Sequence, residues 1–448
     1  MSPFKVHRQT FTTAYIYLKF AVGSAHPGVL RVLDNGFCKV GNMHINIIAY
    51  EFAPFIEKSA LAKDIVHLAQ EATKADHTVS VFVPFELGID LDTHAIARRL
   101  MPVKVPLPEG QMSCHRYDSR TADGVNVYLL DIDGASEKPD GAPQSTLFFA
   151  AVGAVMGTFT ESPDGCIAVG TETAGFAAVL DENPSFRHLP VISVLSHLDE
   201  KTDPAVVDAL TSADRIILNH GRLHLATLAE RLHPLKEMLS QGHIQWMSTP
   251  ALSPRGEFDK PSAKAAFQMA SGLPVREDLP LVLFCGGTST CVQGFLAKDV
   301  QAVIPTHLDP DGSLTSRYGD RLVIRDGRLP EDVLQAADGV VAGADLEILA
   351  SSLTHKAIPI VTQEIAETAV DLEASLNSGS AIVVADLSTA NLAVGLERLL
   401  SAFHQAGAFQ NLLARLPGYA STWTKVTRQF EQLITEISTE KKQDGQTE

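Results

Sequence analysis

The chain has 448 residues, too many for one ordinary hydrophobic core, so two domains are expected. Its composition, 45% apolar and 20% charged, is that of a soluble globular protein. A formal net charge of −17 argues against nucleic acid or an anionic membrane as the main partner, and leaves a neutral polysaccharide open.

The first 42 residues stand apart. Phe11 to Val22 is moderately apolar after Lys5 and Arg8, but Lys19 interrupts it and no small-residue cleavage pattern follows. Residues 1–42 read as an extension or a misassigned start, with a signal peptide or an accessory arm as the alternatives. From Met43 to Pro84 the pattern is regular. Ile45-Asn46-Ile47-Ile48-Ala49 is short and β-rich, Leu61, Ile65, Leu68 and Ala72 recur at helical spacing, and Thr78 to Val83 is β-branched and apolar. That is a βαβ unit, which requires a parallel sheet covered by helices. Further strands are expected at Val125–Leu130, Cys166–Val169, Val191–Leu195 and Arg215–Leu218. The Pro-, Gly- and Ser-rich stretch 104–147 reads as surface loops around the Val125 strand.

A polar, Pro-rich stretch at 249–262 reads as a hinge. Beyond it a helix is expected over Ser262–Ser271, closed by Gly272. Strands follow at Leu281–Cys285, Arg321–Ile324, Gly339–Ala342, Ile358–Val361 and Ala381–Ala385. The pattern gives an α/β chain of two doubly wound Rossmann-like domains. The expected divisions are 1–42 extension, 43–250 first domain, 251–415 second domain, 416–440 a terminal segment whose helix, roughly Trp423 to Thr439, is amphipathic through Val426, Phe430, Leu433 and Ile434, and 441–448 a disordered polar tail. The cysteines (Cys38, Cys114, Cys166, Cys285, Cys291) are odd in number and scattered, with no paired metal spacing. They read as reduced cytosolic thiols, so a cytoplasmic location with no metal or other cofactor is expected. No run approaches transmembrane length.

The residues around the first βαβ unit resemble the N-terminus of bacterial glycogen and plant starch synthases. There a strand runs into A-S-E-x-A-P-F-x-K-V-G-G-L-G-D, then a helix, then G-H-x-V-x-V-x-x-P. Ala49, Glu51, Ala53, Pro54, Phe55, Leu61, His77, Val79, Val81 and Pro84 match. Asp123 to Asp131 is similar to the family's D-G-V-x-V-Y-L-L-D strand. Lys264-Ala265-Ala266 through Gly272-Leu273-Pro274-Val275 is similar to the start of its second domain. Thr362 to Asp371 follows T-G-G-L-x-D-T-V-x-D, and Trp423 with Phe430 and Leu433 follows its terminal helix. The resemblance implies a fold of the glycosyltransferase B type, two domains facing across a cleft. It also implies retaining transfer of glucose from a nucleotide sugar to an α-1,4-glucan, and a terminal helix that returns to the first domain.

The groups that such a reaction needs depart from the family pattern. A nucleotide diphosphate leaving group needs cations and backbone N–H groups. In the K-V-G-G loop the lysine is replaced by Glu57, the glycines by Ser59 and Ala60, and the next G-D by Ala62-Lys63. Lys58 and Lys63 remain as candidate donor-phosphate ligands. The family's H-x-H-D-W becomes Ile167-Ala168-Val169-Gly170-Thr171, and its I-H-N histidine has only His197, one place late, as a candidate. The S-R-L-x-x-Q-K-G segment becomes Gly286 to Gly294, where the turn Gly286-Gly287-Thr288 could still hold an anion through N–H and hydroxyl groups. The family's acidic loop is missing, with Glu347 the nearby acidic candidate. T-G-G-L becomes Thr362-Gln363-Glu364-Ile365. The catalytic residues are thus left open between His197 and Glu347.

These departures together give the expected function: a glycogen/starch synthase-like protein with a degenerate donor site, non-catalytic, regulatory or glucan-binding in polysaccharide metabolism. The alternative is an active retaining glycosyltransferase with a rebuilt site, using ADP-glucose. Expected partners are a nucleotide sugar or α-glucan and a protein of glycogen metabolism, with no nucleic acid and no membrane.

Overall fold

The computed structural model describes residues 41–444 apart from 87, 109, 133–143, 196–202, 220–232, 248–249, 251–253, 255 and 326–330. The expected extension 1–42 falls outside the described residues but for its last two positions. The chain divides into two units, Met1–Met247 with Val426–Glu448, and Ser248–Lys425.

The first unit is built outward from β1 (His44–Ile48), whose inner residues Ile45, Ile47 and Ile48 are buried. Its crossover is α1 (Ala60–Lys74), leading to β2 (Thr78–Pro84) in parallel register, Ile45 opposite Val79 and Ile47 opposite Val81. Ser59 caps α1 by accepting from the Leu61 N–H, and Ala62, Ile65, Leu68, Ala69 and Ala72 form its buried face. The unit continues through β3 (Ala97–Arg98), β4 (Val103–Leu107), β5 (Gly110–Arg120) and β6 (Asn126–Ile132). After α2 (Gln144–Met156) come β7 (Gly165–Val169), α3 (Phe176–Asp181), β8 (Val191–Leu195), α4 (Pro204–Leu210), β9 (Arg215–Asn219), α5 (His233–Ser240) and β10 (Ile244–Met247). The sheet order is β10-β9-β8-β7-β1-β2-β6-β5-β3, with β4 also on β5. It is parallel from β10 to β6. The rest is antiparallel.

That antiparallel part corrects the expectation of loops over 104–147. Residues 103–107 and 110–120 are strands, because β5 pairs with β4 over Gly110–Cys114 and with β6 over Cys114–Arg120 and so satisfies its backbone groups despite polar side chains. Its contacts come from cross-strand pairs that composition does not reveal.

In the second unit α6 (Lys260–Ala270) starts two residues earlier than expected. Asp259 caps it through the Ser262 N–H, and Pro261 fits its first turn. Then follow β11 (Leu281–Phe284), α7 (Ser289–Leu296), β12 (Gln301–Ile304), α8 (Ser313–Tyr318), β13 (Leu322–Ile324), α9 (Glu331–Ala336), β14 (Gly339–Gly343), α10 (Leu346–Thr354), β15 (Ile358–Thr362), β16 (Ile382–Val384), α11 (Thr389–Phe403) and α12 (Ala406–Tyr419). All six strands are parallel, in the order β13-β12-β11-β14-β15-β16. β12, not anticipated, is only four residues long and opens on Gln301, so it shows little pattern. Both units are doubly wound Rossmann-like sheets.

The last helix, α13 (Trp423–Asp444), packs with the first unit from Val426 onward. It starts at Trp423, as expected, whereas the division expected at 416 falls inside α12, where Leu416 is buried in the second unit's core. Its end corrects the expected tail from 441. Lys441 Nζ lies 2.9 Å from Asp214 and donates to the Leu189 carbonyl at 2.8 Å, which holds the last turn on the unit. Upstream, Arg215 donates to both carboxylate oxygens of Glu440 at 2.9 Å. The buried His77 accepts from the Met43 N–H at 3.0 Å, with Nε2 2.9 Å from Glu431. Val426, Phe430, Leu433, Ile434 and Ile437 supply the apolar face. Phe430→Ala is expected to cost about 3–5 kcal/mol through the cavity it leaves. Urea denaturation followed by circular dichroism measures this, and a change under about 0.5 kcal/mol would show that α13 is not part of the folded core.

Candidate functional site

Ligands of open parallel sheets bind at the carboxyl ends of the strands, where the strand order reverses. In the first unit that point lies between β1 and β7, and in the second between β11 and β14. Lys58 and Lys63 follow β1; Gly286, Gly287 and Thr288 follow β11; Glu347 follows β14. The topology thus brings these candidates to the two reversal points, each within its own unit. His197 lies outside the described residues.

The loop after β1 is closed on itself. The Glu51 carboxylate accepts from the Lys58 N–H at 3.1 Å, the Ser59 N–H at 2.8 Å and the Ser59 hydroxyl at 2.5 Å. These are the donors that a bound anion would use at the start of α1. Both lysines are engaged as well. Lys58 Nζ pairs with Glu86, and Lys63 Nζ lies 2.6 Å from Glu57. Across the reversal point Gly170 follows β7 with φ +99°, and a Cβ there would stand 2.9 Å from Glu172 Oε2. Tyr50 sits beside this group, its ring 5.2 Å from Phe148. Burial, reinforced by the Glu172 carboxylate, pushes its phenol well above the usual range. Its hydroxyl is buried and makes no hydrogen bond within the described residues. The resulting surface carries Glu51, Glu57, Glu86 and Glu172 against two paired lysines.

The second unit's turn is also filled from within. Gly287 takes φ +107°, which lets Thr288 cap α7 by accepting from the Cys291 N–H at 3.4 Å. Leu387 lies over the ends of both central strands: a Cβ on Gly286 would meet its Cδ1 at 3.2 Å, and one on Gly343 at 3.1 Å. Burial, and then the nearby Asp345, push the Cys285 thiol up to about 12, so it is inert at neutral pH. Glu347 is exposed in the first turn of α10, behind the Asp345 cap. Among the described residues no group of His, Cys, Asp and Glu could hold a metal ion. Sequence reasoning missed Glu51 as the anion-like partner of the loop, and Glu172 and Leu387. The only signal was that Glu51 matched a family motif.

The family model of the starch synthase catalytic domain matches residues 44–166. The catalytic domain of starch synthase IV from Arabidopsis thaliana, solved with ADP and acarbose, superposes with a TM-score of 0.62 at 12% identity, covering 89% of this chain and 100% of that one. A glycosyltransferase from Rickettsia africae gives 0.55 at 7% identity, over 89% and 99%. The N-terminal domain of Candida albicans trehalose-6-phosphate phosphatase gives 0.54 at 10%, over 90% and 98%. A comparison with curated protein sequences finds no match. The chain thus has the glycosyltransferase B fold. Within it, the first unit carries the sequence pattern of the starch synthase catalytic domain.

One perturbed cation lies away from these loops, at the amino ends of the second unit's strands. Lys260 is buried and donates to the carbonyls of His355 at 2.9 Å and Leu334 at 3.4 Å. Beside it Lys264 Nζ lies 2.7 Å from Asp338, whose carboxylate also accepts from the Leu281 N–H. Burial lowers the Lys260 ammonium to about 7 against 10.5 in the unfolded chain, so folding is opposed by protonation. Between those values the unfolded state binds more protons, and stability rises with pH, by a few kcal/mol in all. The thermal midpoint is expected to climb from about pH 7 to about pH 10 relative to Lys260→Met, which lacks the titrating group. Equal slopes for the two proteins would show that the lysine is charged throughout.

Proposed function

We propose that this is a glycogen/starch synthase-like protein whose nucleotide-sugar site has degenerated, and that it acts without catalysis as a regulatory or glucan-binding component of polysaccharide metabolism in the cytoplasm. The observation that carries this reading is that carboxylates hold both candidate donor lysines, on a loop whose Lys58 and Ser59 N–H groups are already taken by the Glu51 carboxylate. A donor diphosphate would have to displace it and would then face Glu57 and Glu86, which already hold the two lysines. In the second unit Leu387 covers the backbone that a phosphate would approach, and Glu364 is exposed where the family pattern has a glycine. Each charge-assisted bond forgone costs roughly 1.5–3 kcal/mol, so two correspond to about 100-fold or more in affinity. Loss of single groups of this kind typically lowers rates about 10²–10³-fold, and several are missing together.

The second reading is an active retaining glycosyltransferase that moves glucose from ADP-glucose to an α-1,4-glucan. The family match over 44–166 supports it. Calorimetry at low salt separates the two, because low salt favours any lysine still able to hold phosphate. ADP-glucose and UDP-glucose are expected to bind no tighter than about millimolar, with no transfer to glycogen. A micromolar dissociation constant, weakened by Lys58→Ala or Lys63→Ala, would overturn the proposal and place the diphosphate on the loop after β1.

A further inference from the structure

Among the described residues of the first unit, the most exposed large apolar side chains lie at the outer edge of its sheet. β3 ends at Arg98 and β4 begins at Val103, both antiparallel to β5. Between them Leu100 is 97% and Met101 80% exposed. Among the described residues nothing of their own unit covers these two adjacent large apolar side chains. The charge around them is opposite to that of the chain. Residues 98–104 hold Arg98, Arg99 and Lys104 and no acid, a local +3 within a total of −17. The three cations nearest the tip are positioned by the sheet. Arg98 lies over the Tyr117 ring at 5.8 Å, Arg99 Nε is 2.6 Å from Asp118 and still 59% exposed, and Lys104 Nζ donates to the Ser113 hydroxyl at 3.0 Å.

We propose that this tip docks on an anionic lipid bilayer surface, with Leu100 and Met101 entering the acyl boundary and Arg98, Arg99 and Lys104 meeting headgroup phosphates. An isolated apolar tip needs either a preformed pocket or a medium that adapts to it, and a bilayer adapts. Basic side chains flanking it can extend their heads to the phosphate level while their stems stay apolar. A second copy meeting the tip symmetrically would set these cations against their own equivalents. A nucleic acid offers no apolar medium for Leu100 and Met101. An added strand is opposed by Pro106, which removes a donor from β4. The chain's overall negative charge does not forbid the contact, because at physiological salt charges more than about 8 Å apart are largely screened. The proposal uses none of the residues on which the functional reading above rests.

Cosedimentation of the full chain with phosphatidylcholine vesicles, with and without about a third phosphatidylglycerol, tests it. Binding to the anionic vesicles, falling with salt, is expected. The Leu100→Asp/Met101→Asp protein should bind at least about tenfold less, and Arg98→Glu/Arg99→Glu should fall to the level on neutral vesicles. No binding, equal binding to both vesicles, or binding untouched by the Leu100→Asp/Met101→Asp change would overturn it. So would a dimer in analytical ultracentrifugation that this double change dissociates, which would assign the tip to a second copy.

Discussion

Strand β1 is hydrogen-bonded in parallel on both sides, to β2 and to β7, and the first unit depends on that arrangement. A strand so placed has no free edge, and both its faces must be covered, which is why Ile45, Ile47 and Ile48 are all buried. The chain must leave β1 by a crossover helix to reach β2 and return on the other side of β1 as β7. The carboxyl ends of β1 and β7 then diverge into loops on opposite faces. The second unit repeats this around β11, between β12 and β14. The place where a ligand could bind in each unit is therefore a consequence of pairing, before any side chain is considered.

What fills those places is the chain itself. At the start of α1 a carboxylate from Glu51 takes the donors that would hold an anion, and Glu57 and Glu86 take the cations. At the ends of β11 and β14 an aliphatic side chain, Leu387, takes the space over two glycines. Both arrangements keep the loops closed, because unpaired N–H groups at a helix start and open space over backbone are unfavourable wherever no ligand compensates them. A fold can thus outlast its binding chemistry when its own side chains satisfy the same groups, and this is the physical content of the functional reading proposed here.

The C-terminal helix shows the same dependence on groups distant in sequence. Its apolar face follows from the spacing of Val426, Phe430, Leu433 and Ile437. Its length does not. Beyond Thr439 the sequence is polar, and the helix persists to Asp444 because Asp214, Arg215 and the Leu189 carbonyl meet Lys441 and Glu440 there. Isolated polar helix ends fray, whereas anchored ones do not.

The sequence by itself determined the α/β class, the doubly wound order and most parallel strands, because a strand buried on both faces must be written as a continuous apolar run, as in Val191–Leu195 and Gly339–Gly343. It also placed Lys58, Gly286, Gly287 and Thr288 on loops that follow such strands, and Lys63 near the start of the helix after the first. Only the tertiary structure decided the antiparallel edge of β3, β4 and β5, where the stabilising partners lie across the strand rather than along it. It alone joined Glu51 to the start of α1, Glu86 to Lys58 and Leu387 to Gly286 and Gly343. Periodicity reports burial along one element, whereas these contacts depend on where separate loops converge, and no local pattern encodes that distance.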